Sequence, residues 1–179
     1  MRSLFSFSIE AFDSTAYRRS LRWIYGLSLL LSLWFGASLL LDVIIMPTLS
    51  KAGMMTSADF ISAGFNIFHQ FNSVELVVGA LMLSGGLVLI RQGQILHQGR
   101  FSLYCALLFT IPLVYFYYLV PEMAGLGLAV DLASEGQPTA MNAMHLLYWG
   151  LDLLKIACVV LYLSELWQSF QRSQPVSLL

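Results

Sequence analysis

The chain has 179 residues, of which 58% are hydrophobic and 11% charged, with a mean hydropathy of +0.75. Soluble domains carry about a quarter charged residues, so a water-soluble fold is excluded. The net charge of −1 supplies no basic field for nucleic acid.

Residues 1–22 hold Glu10 and Asp13 and no continuous apolar run, so they do not read as a secretory signal. They are expected to form a mobile or interfacial arm. A membrane-spanning helix needs about 20 mostly apolar residues. Four stretches qualify, at about 23–46, 65–90, 101–120 and 144–166, and residues 167–179 follow as a tail. Strand-like alternation, the mark of a membrane barrel, is absent. The fold class is all-α: an integral membrane four-helix bundle.

In the first span Ser28, Ser32 and Gly36 recur every four residues, as Ala80 and Ser84 do in the second. Small residues at that spacing let helices approach closely. Asp42 lies near the end of the first span, and Pro47 is expected to end or bend the helix. Thr56 and Ser57 read as helix-start residues. The second span carries His69, Asn72 and Glu75 at spacing three. An unpaired carboxyl at the depth of Glu75 is expected to hold a proton. The third span ends in the aromatic run 115–118, "YFYY", read as an interface belt. Residues 121–143 read as a loop with one helical turn or two. Trp23, Trp34, Trp149 and Trp167 read as anchors or packing, and Cys105 and Cys158 as buried free thiols.

The fourth span raises the sharpest question. Seven residues make close to two helical turns, so His145 and Asp152 share a face, with Tyr148 and Lys155 on its flank. Asp or Lys at a helix centre costs ~2.5–3.5 kcal/mol on the insertion scale. Asp152 and Lys155 stand at i,i+3 and can neutralise each other. The other reading is a polar pocket, open to the outside, lined by Asp42, His69, Asn72, Glu75, His145, Tyr148, Asp152 and Lys155. His69 and His145 facing one another, with Glu75 or Asp152, would hold a divalent metal or a haem. Against this stands the bland reading of histidines that bond water or a neighbour, and no HxxxH or HExxH spacing occurs.

Orientation follows from Lys and Arg. Arg2, Arg18, Arg19, Arg22, Arg91, Arg100 and Arg172 all fall on one side of a four-span chain, with only Lys51 opposite. Both termini are therefore expected in the cytoplasm, and the membrane to be a plasma membrane, the inner membrane of a bacterium.

The stretches "SLWFGASLLLDVIIMPTLSKAG" and "FISAGFNIFHQFNSVELVVGALML", with "MNAMHLLYWGLDLL" at the start of the fourth span, resemble the transmembrane-protein-205-like family of four-span proteins. The resemblance covers about residues 24–165. Gly36, Pro47, Phe68 and His145 stand at its pattern positions, and Tyr148 stands where the family often has Ser. It implies a four-span fold and no particular activity. A looser likeness to copper-resistance membrane proteins lacks their Met-rich and multi-His motifs.

Three functions remain open. The first is ion, proton or small-solute handling in the polar pocket. The second is haem or metal binding between the second and fourth spans. The third is an assembly subunit whose charges dock other helices, in a homo-oligomer or a membrane complex. No nucleophile elbow, phosphate loop or metalloprotease motif marks an enzyme.

Overall fold

The computed structural model describes residues 2–52, 58–133 and 139–173, with side chains over 18, 20–49, 51–52, 63–126 and 140–172. Thr56 and Ser57 lie outside the described residues. Among the described residues, six α-helices and two π-helical segments assemble into four long rods. The first rod is α1 (Arg2–Leu39), a π segment π1 (Leu40–Ile45) and α2 (Met46–Lys51). The second is α3 (Ala58–Arg91). The third is α4 (Gln98–Val114), a second π segment π2 (Tyr115–Leu119) and α5 (Val120–Ala133). The fourth is α6 (Thr139–Ser173). No strand occurs among the described residues.

Each rod holds a stretch long and apolar enough to cross a membrane: Ser20–Leu49, Ala63–Arg91, Gln98–Leu126 and Ala140–Arg172. All four exceed the lengths read from hydropathy, because the helices continue into their flanking residues. Residues 2–22, expected as an arm, are helical and continuous with the first span. No Gly or Pro occurs before Gly26 to interrupt that helix. Residues 121–133, expected as loop, continue the third rod as α5.

Pro47 and Pro121 lie within the first and third rods rather than ending them. A proline inside an α-helix lacks its N–H, and its ring clashes with the carbonyl four residues back. Here Pro47 and Pro121 each follow a π segment by two residues. The capping amides just before them, Met46 N–H and Val120 N–H, reach Leu41 O and Tyr115 O, five residues back. The wider turn makes room for the ring, so the rod bends around the proline instead of ending.

The rods pack as a ring: α1 on α3, α3 on α4, α4 on α6 and α6 on α1. The second and fourth rods therefore face each other across the middle. Each rod turns a stripe inward at alternating spacings of three and four. In the first it is Ile24, Leu27, Leu31, Trp34 and Ser38; in the second, Asn72, Glu75, Gly79, Met82, Gly86 and Leu89. In the third it is Phe101, Cys105, Leu108, Pro112, Tyr115 and Leu119. In the fourth it is Tyr148, Asp152, Lys155, Val159, Tyr162 and Leu166. The outer surface is made of leucine and valine: Leu146 is 75% exposed while Lys155 is 1% exposed. A fold that keeps charge inside and aliphatic side chains outside suits hydrocarbon as solvent.

The rows of small residues divide differently from expectation. Ser32, Gly36 and Ser84 are exposed, and Ser32 Oγ donates to Ser28 O of its own helix. The close approaches inside the ring are made by Gly79, Gly85 and Gly86. A Cβ on Gly79 would lie 2.6 Å from Leu108 O, a backbone atom that cannot move aside. Gly79→Val is expected to push α3 from α4 and destabilise the bundle by about 1–3 kcal/mol. Gly36→Ala, with nothing near its Cβ, is expected to leave thermal unfolding in detergent unchanged. Equal unfolding temperatures for the two variants would contradict this packing.

Candidate functional site

The second and fourth rods meet across the ring at three levels. Phe68 packs edge-on against Tyr148, Lys155 bonds Glu75, and Tyr162 OH donates to Met82 O. Each pair differs by 80 in sequence, so the two helices run parallel and in register, with levels roughly 10 Å apart. The middle level is the polar one. Trp34, Glu75 and Lys155 all lie near the centres of their spans.

Glu75 is the hub. Its Oε1 accepts from Lys155 Nζ at 2.8 Å, from Trp34 Nε1 at 2.8 Å and from Ser38 Oγ at 3.1 Å. It is therefore not the unpaired carboxyl expected from the sequence. An indole N–H and an ammonium can only donate, so three donors on one oxygen define an acceptor. Lys155 Nζ also lies 2.7 Å from Asp152 Oδ1, as an ion pair. The i,i+3 pairing of Asp152 with Lys155 is thus present, but as one half of a triad that spans two helices. Lys155 Nζ sits 5.6 Å from the centre of the Tyr115 ring, within cation–π range. Exposure is 1% for Glu75, 1% for Lys155 and 3% for Asp152. The triad is packed over by neighbouring side chains rather than lining an open pocket.

A second polar layer continues past the triad, away from the arginine-rich ends. Tyr148 OH donates to Asp42 Oδ1 at 3.4 Å, a long bond. Tyr115 OH donates to Tyr148 O, and the two rings stack with centroids 4.7 Å apart. Asp42 is 6% exposed and Asn72 is fully buried. Asp42 Oδ2, Glu75 Oε2 and both amide atoms of Asn72 have no hydrogen-bond partner. On the other side of the triad the ring is closed by Leu27, Leu31, Met82, Leu108, Cys158 and Tyr162.

The histidines do not join this cluster. His145 is exposed and its Nδ1 contacts Met141 O of its own helix. It continues the inward row of Asp152, Val159 and Leu166 by one heptad, beyond the point where neighbouring helices still cover that row. His69 is half-buried between the rings of Phe65 and Phe116, its Nδ1 without a partner. The structure gives no contact between the two. Among the described residues no three His, Cys, Asp or Glu side chains come together as a metal site. Glu75 and Asp152 meet at Lys155, and the contacts of the two histidines lie elsewhere.

Two further corrections concern residues read as ordinary. Trp34 is a hydrogen-bond donor to the hub, not only packing. Tyr115 of the "YFYY" run is fully buried, while Tyr117 and Tyr118 face outward as a belt would. On the arginine side of the ring, Glu165 is buried and pairs with His97 at 3.2 Å. One signal was available for Trp34 and Ser38, their four-residue spacing on the face that leads to Asp42.

No family model, curated protein or solved structure matches the chain.

Removing one partner of a buried ion pair costs about 3–5 kcal/mol, whereas replacing the whole set by neutral groups is often neutral or stabilising. Lys155→Met, which strands Glu75 and Asp152, is expected to cost about that much. Adding Glu75→Gln and Asp152→Asn to Lys155→Met is expected to recover most of it. Thermal unfolding in lipid nanodiscs measures both, and a triple variant no more stable than the single one would contradict the triad.

Proposed function

We propose that the chain is a multi-pass membrane protein that handles protons or small cations at the charged cluster between its spans. The observation that carries the reading is charge balance. Three carboxylates, Asp42, Glu75 and Asp152, are buried with one ammonium, Lys155. A bundle that needed only mutual neutralisation would keep equal numbers. Ionisable groups at that depth are costly and mark ion or proton paths in other membrane proteins. The polar layer of Asp42, Asn72 and Tyr148 leads from the triad toward one face, and an apolar layer closes it from the other. If the arginine-rich ends are cytoplasmic, as the positive-inside rule has it, the cluster is reached from the outside. Placement in a bacterial inner membrane, and membership of the transmembrane-protein-205-like family, belong to the same proposal and rest on the sequence features alone.

A second reading, a subunit that docks another helix, is favoured by the outward row of Ser28, Ser32 and Gly36, which has the spacing for close helix contact. The charges themselves do not serve it, because Glu75, Asp152 and Lys155 satisfy one another within the chain.

Vesicles holding the purified chain and a pH-sensitive dye, with a second set holding a sodium-sensitive dye, test the first reading. An imposed membrane potential is expected to drive proton or sodium movement above that of empty vesicles. Glu75→Gln, folded by circular dichroism, is expected to bring it down to the empty-vesicle level. Wild-type vesicles indistinguishable from empty ones under both dyes would overturn the reading.

A further inference from the structure

We propose that Asp42 is the carboxyl of this cluster that binds and releases a proton, and that Asn72 bridges it to Glu75. The proposal rests on the ion-handling reading and names both the ion and the group that takes it.

The three carboxylates differ in what they receive. Glu75 has three donors, one of them cationic. Asp152 lies against the same ammonium. Asp42 has only the long contact from the neutral Tyr148 hydroxyl on Oδ1, and nothing on Oδ2. A buried carboxylate without a countercharge favours its protonated form. Asp42 is the one member of the set in that position.

Asn72 is the independent observation. It is fully buried, and neither its Oδ1 nor its Nδ2 has a partner. It stands on the inward stripe of α3 between Phe68 and Glu75, and the constant offset of 80 between the facing helices puts it level with Asp152. An orphaned donor and acceptor at such depth costs stability unless something meets both. An amide offers one of each, and so does a protonated carboxyl. Asn72 Nδ2 and Oδ1 offer the donor and acceptor that a protonated Asp42 needs, and Glu75 Oε2 also lacks a donor; with the cluster as it stands in the structure none of these atoms is bonded to another. The groups around this point are Trp34 and Ser38 from α1, Asp42 from π1, Glu75 from α3, Tyr115 from π2, and Tyr148, Asp152 and Lys155 from α6, while His69 of α3 stacks on Phe116 and bonds none of them. No second cation is among them to balance Asp42.

The two π segments support the assignment. One presents Asp42 and the other Tyr115. π turns inside helices occur frequently at functional sites. Uptake forms one O–H bond at Asp42 Oδ2 and takes the charged set from minus two to minus one. Release breaks that bond and returns the proton to water, and no electron moves.

Infrared difference spectra of the full chain in lipid nanodiscs, recorded across a pH titration, read the C=O stretch of a protonated carboxyl and its shift in deuterium oxide. Wild type and Asp152→Asn are expected to show the band, and Asp42→Asn is expected to lack it. Asn72→Leu is expected to move its frequency, because the carboxyl loses its amide partner. Asp42→Asn has nearly the shape and charge of the protonated residue, so it is expected to fold. Should it not, Asp42→Glu keeps a band at a displaced frequency if the assignment is right. A band that persists in Asp42→Asn, a band absent at every pH, or a band removed by sodium at fixed pH would overturn the proposal. Vesicle flux with a band indifferent to Asp42 would sink this assignment and leave the ion-handling reading intact. A band that depends on Asp42 without any flux would do the reverse.

Discussion

Hydrocarbon offers no partner to a charge, so every charge placed in it has to be answered by the protein. The arrangement of this chain follows from that constraint acting on Glu75 and Lys155. Their bond ties the second rod to the fourth across the ring. The remaining capacity of Glu75 Oε1 is taken by Trp34 and Ser38 from the first rod, and Lys155 lies over the Tyr115 ring of the third. One carboxylate and one ammonium thus touch all four rods. Apolar packing alone specifies little between helices in lipid, because the tails are as apolar as leucine. Close approach at Gly79 and Gly86 brings α3 onto α4, and the polar hub sets which residues stand level with one another.

The prolines serve the same centre. A π turn adds a residue to the helix and so rotates what lies beyond it by about 100°. In the first rod the added residue falls where the stripe of Trp34 and Ser38 gives way to Leu41 and Asp42. In the third it follows Tyr115. Pro47 and Pro121 are accommodated by these wider turns, which include Asp42 and Tyr115. The layer so formed is richer in acids than in bases, and that imbalance is what separates it from a purely structural ion pair.

Much of the architecture was legible in the sequence because it depends on length and hydropathy. Four apolar stretches and the grouping of arginines need no tertiary information. The inward stripes were not legible, because leucine covers both the ring interior and the lipid face, so hydrophobicity carries no period. Only polar residues mark the inner side, and they did so correctly for Asp42, Asn72, Glu75, Asp152 and Lys155. The same logic failed for His145, which shares the face of Asp152 but is exposed and contacts Met141 O of its own helix. Trp34 and Tyr115 were misread because an aromatic residue in a span is as good an anchor as it is a donor. The partner of Lys155 was half legible: spacing along one helix pointed to Asp152, while Glu75 lies 80 residues away and needs the fold.

The account depends most on the contact between Lys155 and Glu75. Solid-state NMR on bilayer samples, with nitrogen-15 in lysine and carbon-13 in the glutamate side-chain carboxyl, measures it directly. Strong dipolar recoupling between the Lys155 ammonium and the Glu75 carboxyl is the expected result, consistent with an Nζ to Oε1 distance of 2.8 Å, and Glu75→Gln assigns the signal by removing the charged partner. A Lys155 ammonium that recouples with no glutamate carboxyl would contradict the hub, and with it the placement of the four rods around it.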